Sequence, residues 1–325
     1  MNWTSADVAR AIDVLGTSDS VGEAAGRLGV SEAALRSAFK RARKRGVVTG
    51  SPLNHVGAGR VVKAPSVAKG VAADGAGARV QKIMVCPDAH HPYVDDLAWR
   101  TFLEACRVVK PDALVIIGDF CDFLSVSAHP KSPADKIDFQ AELAAANVAL
   151  DQISALKIPR VVACEGNHET RITRYIAARA PELYGMMHVK DLLKIEKRGW
   201  EWVPYNSWLR IGEVAFTHDV GRSGVNTARQ SLQDFGDNLV IGHSHRGAVV
   251  YQGTVEGRQH VCMNVGWLGS YEAVPYMHQA RAKRDWCHGL GYIEQTKDGV
   301  SWCNFVPIIS GRCTINGQVI SGRAA

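Results

Sequence analysis

A mixed α/β domain preceded by a small all-helical one is the fold class this sequence predicts. From residue 80 onward short apolar runs alternate with longer amphipathic stretches, whereas before residue 46 apolar residues recur only at helical spacing. Clusters rich in Asp and His fall at or just after the ends of the apolar runs, where an open α/β sheet builds its site. With 325 residues and 46% apolar content, the chain has material for one large domain and something small beside it. That excludes a fibrous or disorder-dominated protein.

Ser5 is expected to cap a first helix whose apolar face is Val8, Ala11, Ile12 and Leu15, with Gly16 as its stop. Ser20 with Glu23 makes a capping box for a second helix reaching about Leu28. Gly29 then turns the chain, and Ser31 caps a third helix that buries Leu35, Ala38, Phe39 and Ala42. The opposite side of this helix carries Arg36, Lys40, Arg43 and Lys44. The stretch from Glu23 to Ser31 is similar to the turn of a helix-turn-helix module. Residues 1–48 are therefore expected to bind nucleic acid, with the third helix in a major groove. A solvated charged stripe on an oligomerisation bundle is the alternative, and a homo-oligomer is compatible with it.

Charge agrees with a polyanionic partner. Residues 1–80 hold 12 Lys or Arg against 6 Asp or Glu, while residues 81–325 hold 26 of each sign. Clustered cations neutralise phosphates and release counterions. Residues 49–78, rich in Gly, Ala, Val and Ser without a sustained period, are expected to be a flexible linker.

The large domain then spans 79–325. Its expected strands are 80–86, 113–117, 160–164, 213–217, 239–241 and 260–265, and its expected helices lie near 94–109, 137–155, 169–179 and 222–234. Beyond residue 286 only strand-like segments appear, at 289–294 and 301–306. The first residues lack a basic and an apolar targeting region, and no apolar run reaches membrane length, so a cytoplasmic location without a membrane partner is expected. Eight cysteines form no CxxC pair and are expected to be reduced, mostly buried thiols. For Trp267, Trp286 and Trp302 a core position is the first expectation, with a substrate wall or a subunit contact as alternatives.

Five polar clusters follow strand ends: Asp88-Ala89-His90, Gly118-Asp119-Phe120-Cys121-Asp122, Gly166-Asn167-His168-Glu169, Thr217-His218-Asp219 and Gly242-His243-Ser244-His245. Carboxylate, imidazole and amide oxygen form a hard-to-borderline donor set suited to Mn²⁺, Fe, Zn²⁺ or Co²⁺ rather than to a thiolate site. Singly, each cluster is weak. Their order and placement together are specific.

On these motifs the chain resembles the calcineurin-like metallophosphoesterase family, whose signature runs DxH, GDxxD, GNH(E/D), H and GHxH, over roughly residues 80–270. The resemblance implies a metallophosphoesterase β-sandwich flanked by helices and two divalent metal ions, manganese foremost, with Fe, Zn, Co or Ni as alternatives. It implies that Asp88, His90 and His245 bind one metal, that Asn167, His218 and His243 bind the other, and that Asp119 bridges them. His168 would then be a general acid or phosphate contact, oriented by Asp122. Arg171 and Arg174 are expected to contact substrate phosphate. Phe123 stands where the protein Ser/Thr phosphatases have an Arg, which weakens a phosphoprotein substrate. The GNHE form and the attached helical module look more like the phage-encoded phosphodiesterase and Mre11-like nuclease branches. The expected function is therefore a metal-dependent phosphodiesterase, a nuclease on DNA or RNA. A nucleotide phosphatase or cyclic phosphodiesterase, and a non-catalytic DNA-binding protein, are the alternatives.

Overall fold

A computed structural model describes residues 3–16, 18, 20–44, 80–129, 131, 138–274 and 285–323. The chain divides into two compact units, Met1–Ala76 and Gly77–Ala325. The expected linker at 49–78 lies outside the described residues.

Three helices make up the described part of the first unit: α1 (Ser5–Gly16), α2 (Val21–Arg27) and α3 (Glu32–Lys44). Their apolar stripes converge on one core of Val8, Ala11, Leu15, Ala24, Ala25, Leu35, Phe39 and Ala42. The Ser20 hydroxyl accepts from the N–H of Glu23 and the Ser31 hydroxyl from that of Ala34, each capping its helix. The cap of α1 departs from expectation. Thr4 fills that role, exchanging bonds with Asp7 in both directions, and Ser5 is already the first helical residue. On the outer side of α3, Lys40 and Lys44 are exposed, and Arg36 is paired with Glu32 at 2.6 Å.

The second unit is built on two sheets. In the first, β1 (Gln81–Cys86), β2 (Ala113–Ile116), β3 (Arg160–Cys164) and β4 (Glu201–Val203) run parallel in that order. β10 (Gly289–Gln295) is antiparallel to β1, and β11 (Ser301–Pro307) to β10. The second sheet orders β5 (Leu209–Ile211), β6 (Val214–Phe216), β7 (Leu239–Ile241), β9 (Gln259–Val265) and β8 (Gly247–Gly253), with β6, β7 and β9 parallel. A small pair, β12 (Arg312–Ile315) and β13 (Gln318–Ser321), packs on α4 (Asp96–Val109).

Strands β2, β6 and β7 read as unbroken apolar runs because both their faces are covered, and the period of two sorts their side chains. Ile83 and Val85 of β1, Val115 of β2, Phe216 of β6, Val240 of β7 and Met263 of β9 share the core between the sheets. Met84 and Cys86, with Leu114 and Ile116, point the other way and meet α4 and α5 (Phe139–Ser154). Ala215, Leu239 and Ile241 lie under α7 (Thr227–Phe235). The result is a sheet-on-sheet sandwich with helices on its outer faces.

Several boundaries differ from the sequence expectation. The helix expected near 222–234 begins only at Thr227, because Gly221 and Gly224 keep the preceding residues in a loop. Strands β4, β5, β8, β12 and β13 were not anticipated. Most are only three or four residues long, too short for a periodic signal. No helix among the described residues is long and apolar enough to cross a membrane. All eight cysteines are free, and every one except Cys287 is buried.

Candidate metal centre

The five polar clusters leave the carboxyl ends of parallel strands β1, β2, β3, β6 and β7, and the tertiary fold brings them together. Asp88, His90, Asp119 and His245 offer donor atoms within 4.8 Å of one another, and so do Asp119, His218 and His243. Asp119 belongs to both groups. Asn167 joins the second, its amide oxygen 2.7 Å from His243 Nδ1 and 3.0 Å from His218 Nε2. All seven sequence-predicted ligands therefore share one centre.

Backbone geometry concentrates there too. His90, Asp119, His243 and His245 all have positive φ, between 47° and 63°, a region that non-glycine residues rarely adopt and that costs on the order of 1–3 kcal/mol each. Two glycines allow the loops to approach. A Cβ on Gly118 would stand 2.6 Å from His218 Nδ1, and one on Gly166 would collide with the backbone N and Oδ1 of Asp119.

The donor atoms are aimed by their neighbours. His90 Nδ1 lies 3.0 Å from Asp122 Oδ2, and His218 Nδ1 lies 3.1 Å from the carbonyl of Ile117. Each contact holds the N–H on Nδ1 and leaves the Nε2 lone pair facing inward. His90 Nε2 and His245 Nε2 then stand 3.0 Å apart, and Asp88 Oδ2 is 3.2 Å from the latter. Asp88 Oδ1 is buried without a hydrogen-bond partner. Lone pairs that converge on one point beside an orphaned carboxylate oxygen suit a cation, and the buried cluster could hold divalent metal ions.

Electrostatics follow from burial among like and unlike charges. Burial first, then Asp119, pushes the Asp88 carboxyl up to about 6 against the surrounding imidazoles. Burial also opposes the Asp119 carboxylate, yet His168, His218 and His90 outweigh it and hold that group well below its usual range. Burial holds the His245 imidazole down to about 3, a neutral ring ready to ligate.

His168 sits beside the centre, its Nε2 3.7 Å from Asp119 Oδ2. Its Nδ1 lies 3.1 Å from the carbonyl of Asp122, and its Nε2 faces Arg171 at 2.9 Å. Burial disfavours the charged ring, but Asp119 and Asp122 outweigh it and raise His168 above the ordinary imidazole value, while Arg171 works the other way.

The two arginines differ in setting. Arg171 is buried in α6 (Thr170–Arg179), donating to the Asp122 carbonyl at 2.7 Å and to its carboxylate at 3.1 Å. It places a cation beside Asp122, next to Phe123, whose ring is buried. Arg174 is exposed and donates to the carbonyl of Asn167 at 2.7 Å.

Sequence reasoning assigned no role to Glu169. It is buried, and its carboxylate accepts from the N–H groups of Asp119, Cys121 and Gly166 at 2.8–2.9 Å, tying the loop after β2 to the loop after β3. The E of GNHE was the available signal. Of the tryptophans, Trp267 is fully buried and stacks on His245 at 5.1 Å, and Trp286 meets the same ring edge-on at 4.1 Å. Trp302 is half exposed, which corrects the core expectation for that residue.

A family model described as Calcineurin-like phosphoesterase matches residues 81–302. The Gene 54 protein of Mycobacterium phage D29 is 28% identical over 255 residues, covering 74% of this chain and 98% of the phage protein. That of Mycobacterium phage L5 is 27% identical over 256 residues, with the same coverage. Among solved structures, similarity extends to Yfce, a phosphoesterase from E. coli, at 17% identity and a TM-score of 0.34 over 70% of this chain and 100% of that one. Vps29 from Chaetomium thermophilum is similar at 11% identity and a TM-score of 0.35, over 70% of this chain and 97% of that one.

Proposed function

The chain belongs to the calcineurin-like phosphoesterase family, which implies a metal-dependent hydrolase, and on that premise we propose that it is a dinuclear phosphodiesterase that cleaves nucleic acid. The observation that carries the dinuclear reading is the presence of Asp119 in both donor groups. A carboxylate suits that position because its two oxygens offer lone pairs and charge to two cations. Asp88, His90 and His245 would hold one ion and Asn167, His218 and His243 the other, with manganese foremost and Fe, Zn, Co or Ni as alternatives. Two bound divalent ions supply Lewis acidity and charge neutralisation at a phosphoryl group.

The chain's own residues do the rest. Asp122 fixes the ring of His90 and, through its carbonyl, that of His168. His168 is the proton donor for the leaving oxygen once the Arg171 guanidinium turns from its Nε2 toward a substrate phosphate, and Arg174 approaches the same phosphate from the rim. Nucleic acid as substrate is supported by the cationic excess of residues 1–80. The first unit would act as a helix-turn-helix module that delivers the strand along Lys40 and Lys44 of α3.

The test is hydrolysis of bis-p-nitrophenyl phosphate against p-nitrophenyl phosphate with Mn²⁺, alongside labelled DNA and RNA oligonucleotides. Diester preference with oligonucleotide cleavage is expected, and Lys40→Glu with Lys44→Glu should weaken only the oligonucleotide reaction. Monoester preference without any cleavage of DNA or RNA would replace the proposal with a nucleotide phosphatase.

A further inference from the structure

Beside Asn167 opens a cleft of about 580 Å³. His129, Lys131, Arg171, Arg174, Tyr175 and Arg179 contribute to its lining, which among the described residues holds no carboxylate. Arg171, Arg174, Tyr175, Ala178 and Arg179 recur at i, i+3, i+4, i+7 and i+8 and so form one face of α6. At 1.5 Å per residue that face extends about 12 Å outward from the metal centre. The facing wall comes from the segment after β2, where Lys131 Nζ is anchored on the carbonyl of Ser125.

The side chains along this face differ in what they leave available. Arg171 bonds Asp122 and His168 and belongs to the reacting centre, and Arg174 spends an N–H on Asn167. Farther out, Arg179 is exposed and Tyr175 is 45% exposed, and neither is needed by the metal chemistry. Ala178 beside them is too small to block the floor. A row of cations tracks a phosphate backbone whatever its sequence, and an aromatic face between the cations takes an unstacked base. In a duplex the bases are stacked on one another and cannot use such a ring.

We propose that this cleft is a subsite for the single-stranded nucleotides flanking the scissile phosphodiester, with Arg174, Arg179 and Lys131 along the backbone and Tyr175 under a base. The proposal rests on the nucleic-acid reading of the centre and adds the strandedness of the substrate.

The test uses the full-length Mn²⁺ enzyme with Tyr175→Ala and Arg179→Glu, comparing a short oligothymidylate with bis-p-nitrophenyl phosphate, which is too small to reach along α6. Each variant should lose at least about 10-fold in kcat/KM on the oligonucleotide, chiefly through KM, and change less than about 2-fold on the small diester. Tyr175→Phe should keep the oligonucleotide rate, because the ring face remains. Unchanged oligonucleotide turnover in Tyr175→Ala, or equal losses on both substrates, would overturn the subsite. If the wild type cleaves the small diester but no nucleic acid, the substrate reading itself fails, and the cleft is then judged by inhibition of small-diester hydrolysis by the dinucleotide pTpT. Weaker inhibition in the variants keeps the cleft as a nucleotide site, and equal inhibition overturns it.

Discussion

Nδ1 of His90 lies 3.0 Å from the carboxylate of Asp122, both side chains fully buried, and this contact turns the imidazole so that Nε2 enters the candidate metal centre. Removing the carboxylate leaves the ring without its orienting acceptor and Arg171 without its counter-charge. Asp122→Ala should lower metal affinity by about 10–100-fold, as loss of such an orienting partner does. Elemental analysis after gel filtration, compared with the wild type, checks it. Unchanged metal content would mean that the other ligands alone fix the ring.

Arg171 can be placed in the fold or on the substrate, and one variant separates the two roles. Its guanidinium is buried against Asp122 and His168, so Arg171→Ala breaks a buried charge pair, which costs on the order of 3 kcal/mol. Both unfolding stability and kcat should fall. A rise in KM with stability unchanged would instead place its main contribution on substrate phosphate.

Glu169 accepts three backbone N–H groups from two loops. Glutamine has nearly the same shape, but its NH₂ would face a donor. Glu169→Gln should therefore cost about 2 kcal/mol through an unsatisfied buried N–H, seen as a lower urea midpoint, with activity falling as Asp119 loses its support. A wild-type midpoint would show that the second oxygen is dispensable.

His91 is buried between Trp99 and Phe120, and burial, with a smaller contribution from His90, holds it down to about 3. Its folded value lies below that of the unfolded chain, so between about pH 6.5 and pH 3 the unfolded state binds the proton and the folded state does not. Stability contributed by this site is present above that window and is lost as pH falls through it. His91→Leu should then gain on the wild type by about 2 kcal/mol at roughly pH 4.5 while differing little above pH 7. Parallel urea titrations at both pH values check this, and a pH-independent difference would count against it.

Much of the architecture was legible from local pattern. The helical spacing of Val8, Ala11 and Leu15 and of Leu35, Phe39 and Ala42 marks faces that do converge on one core. The apolar runs at 80–86, 113–117 and 160–164 are the central parallel strands. Thr4 and Ser5 are equally competent caps by residue type, and only the backbone position of the first helical residue distinguishes them.

By itself the sequence determined which segments form the main helices and the central strands, the order of the five motifs and which residues carry donor atoms, because caps, periodicity and strand-end placement depend on near neighbours. The pairing of strands and the meeting of the motifs at one point were decided by tertiary structure. So were the turning of Asp122 to His90 across 32 residues, the use of Glu169 as a tie between two loops, and the burial of Arg171. Those relations join residues far apart in the chain, and they arise only when two sheets close their apolar faces on each other and carry the loops at their ends into contact.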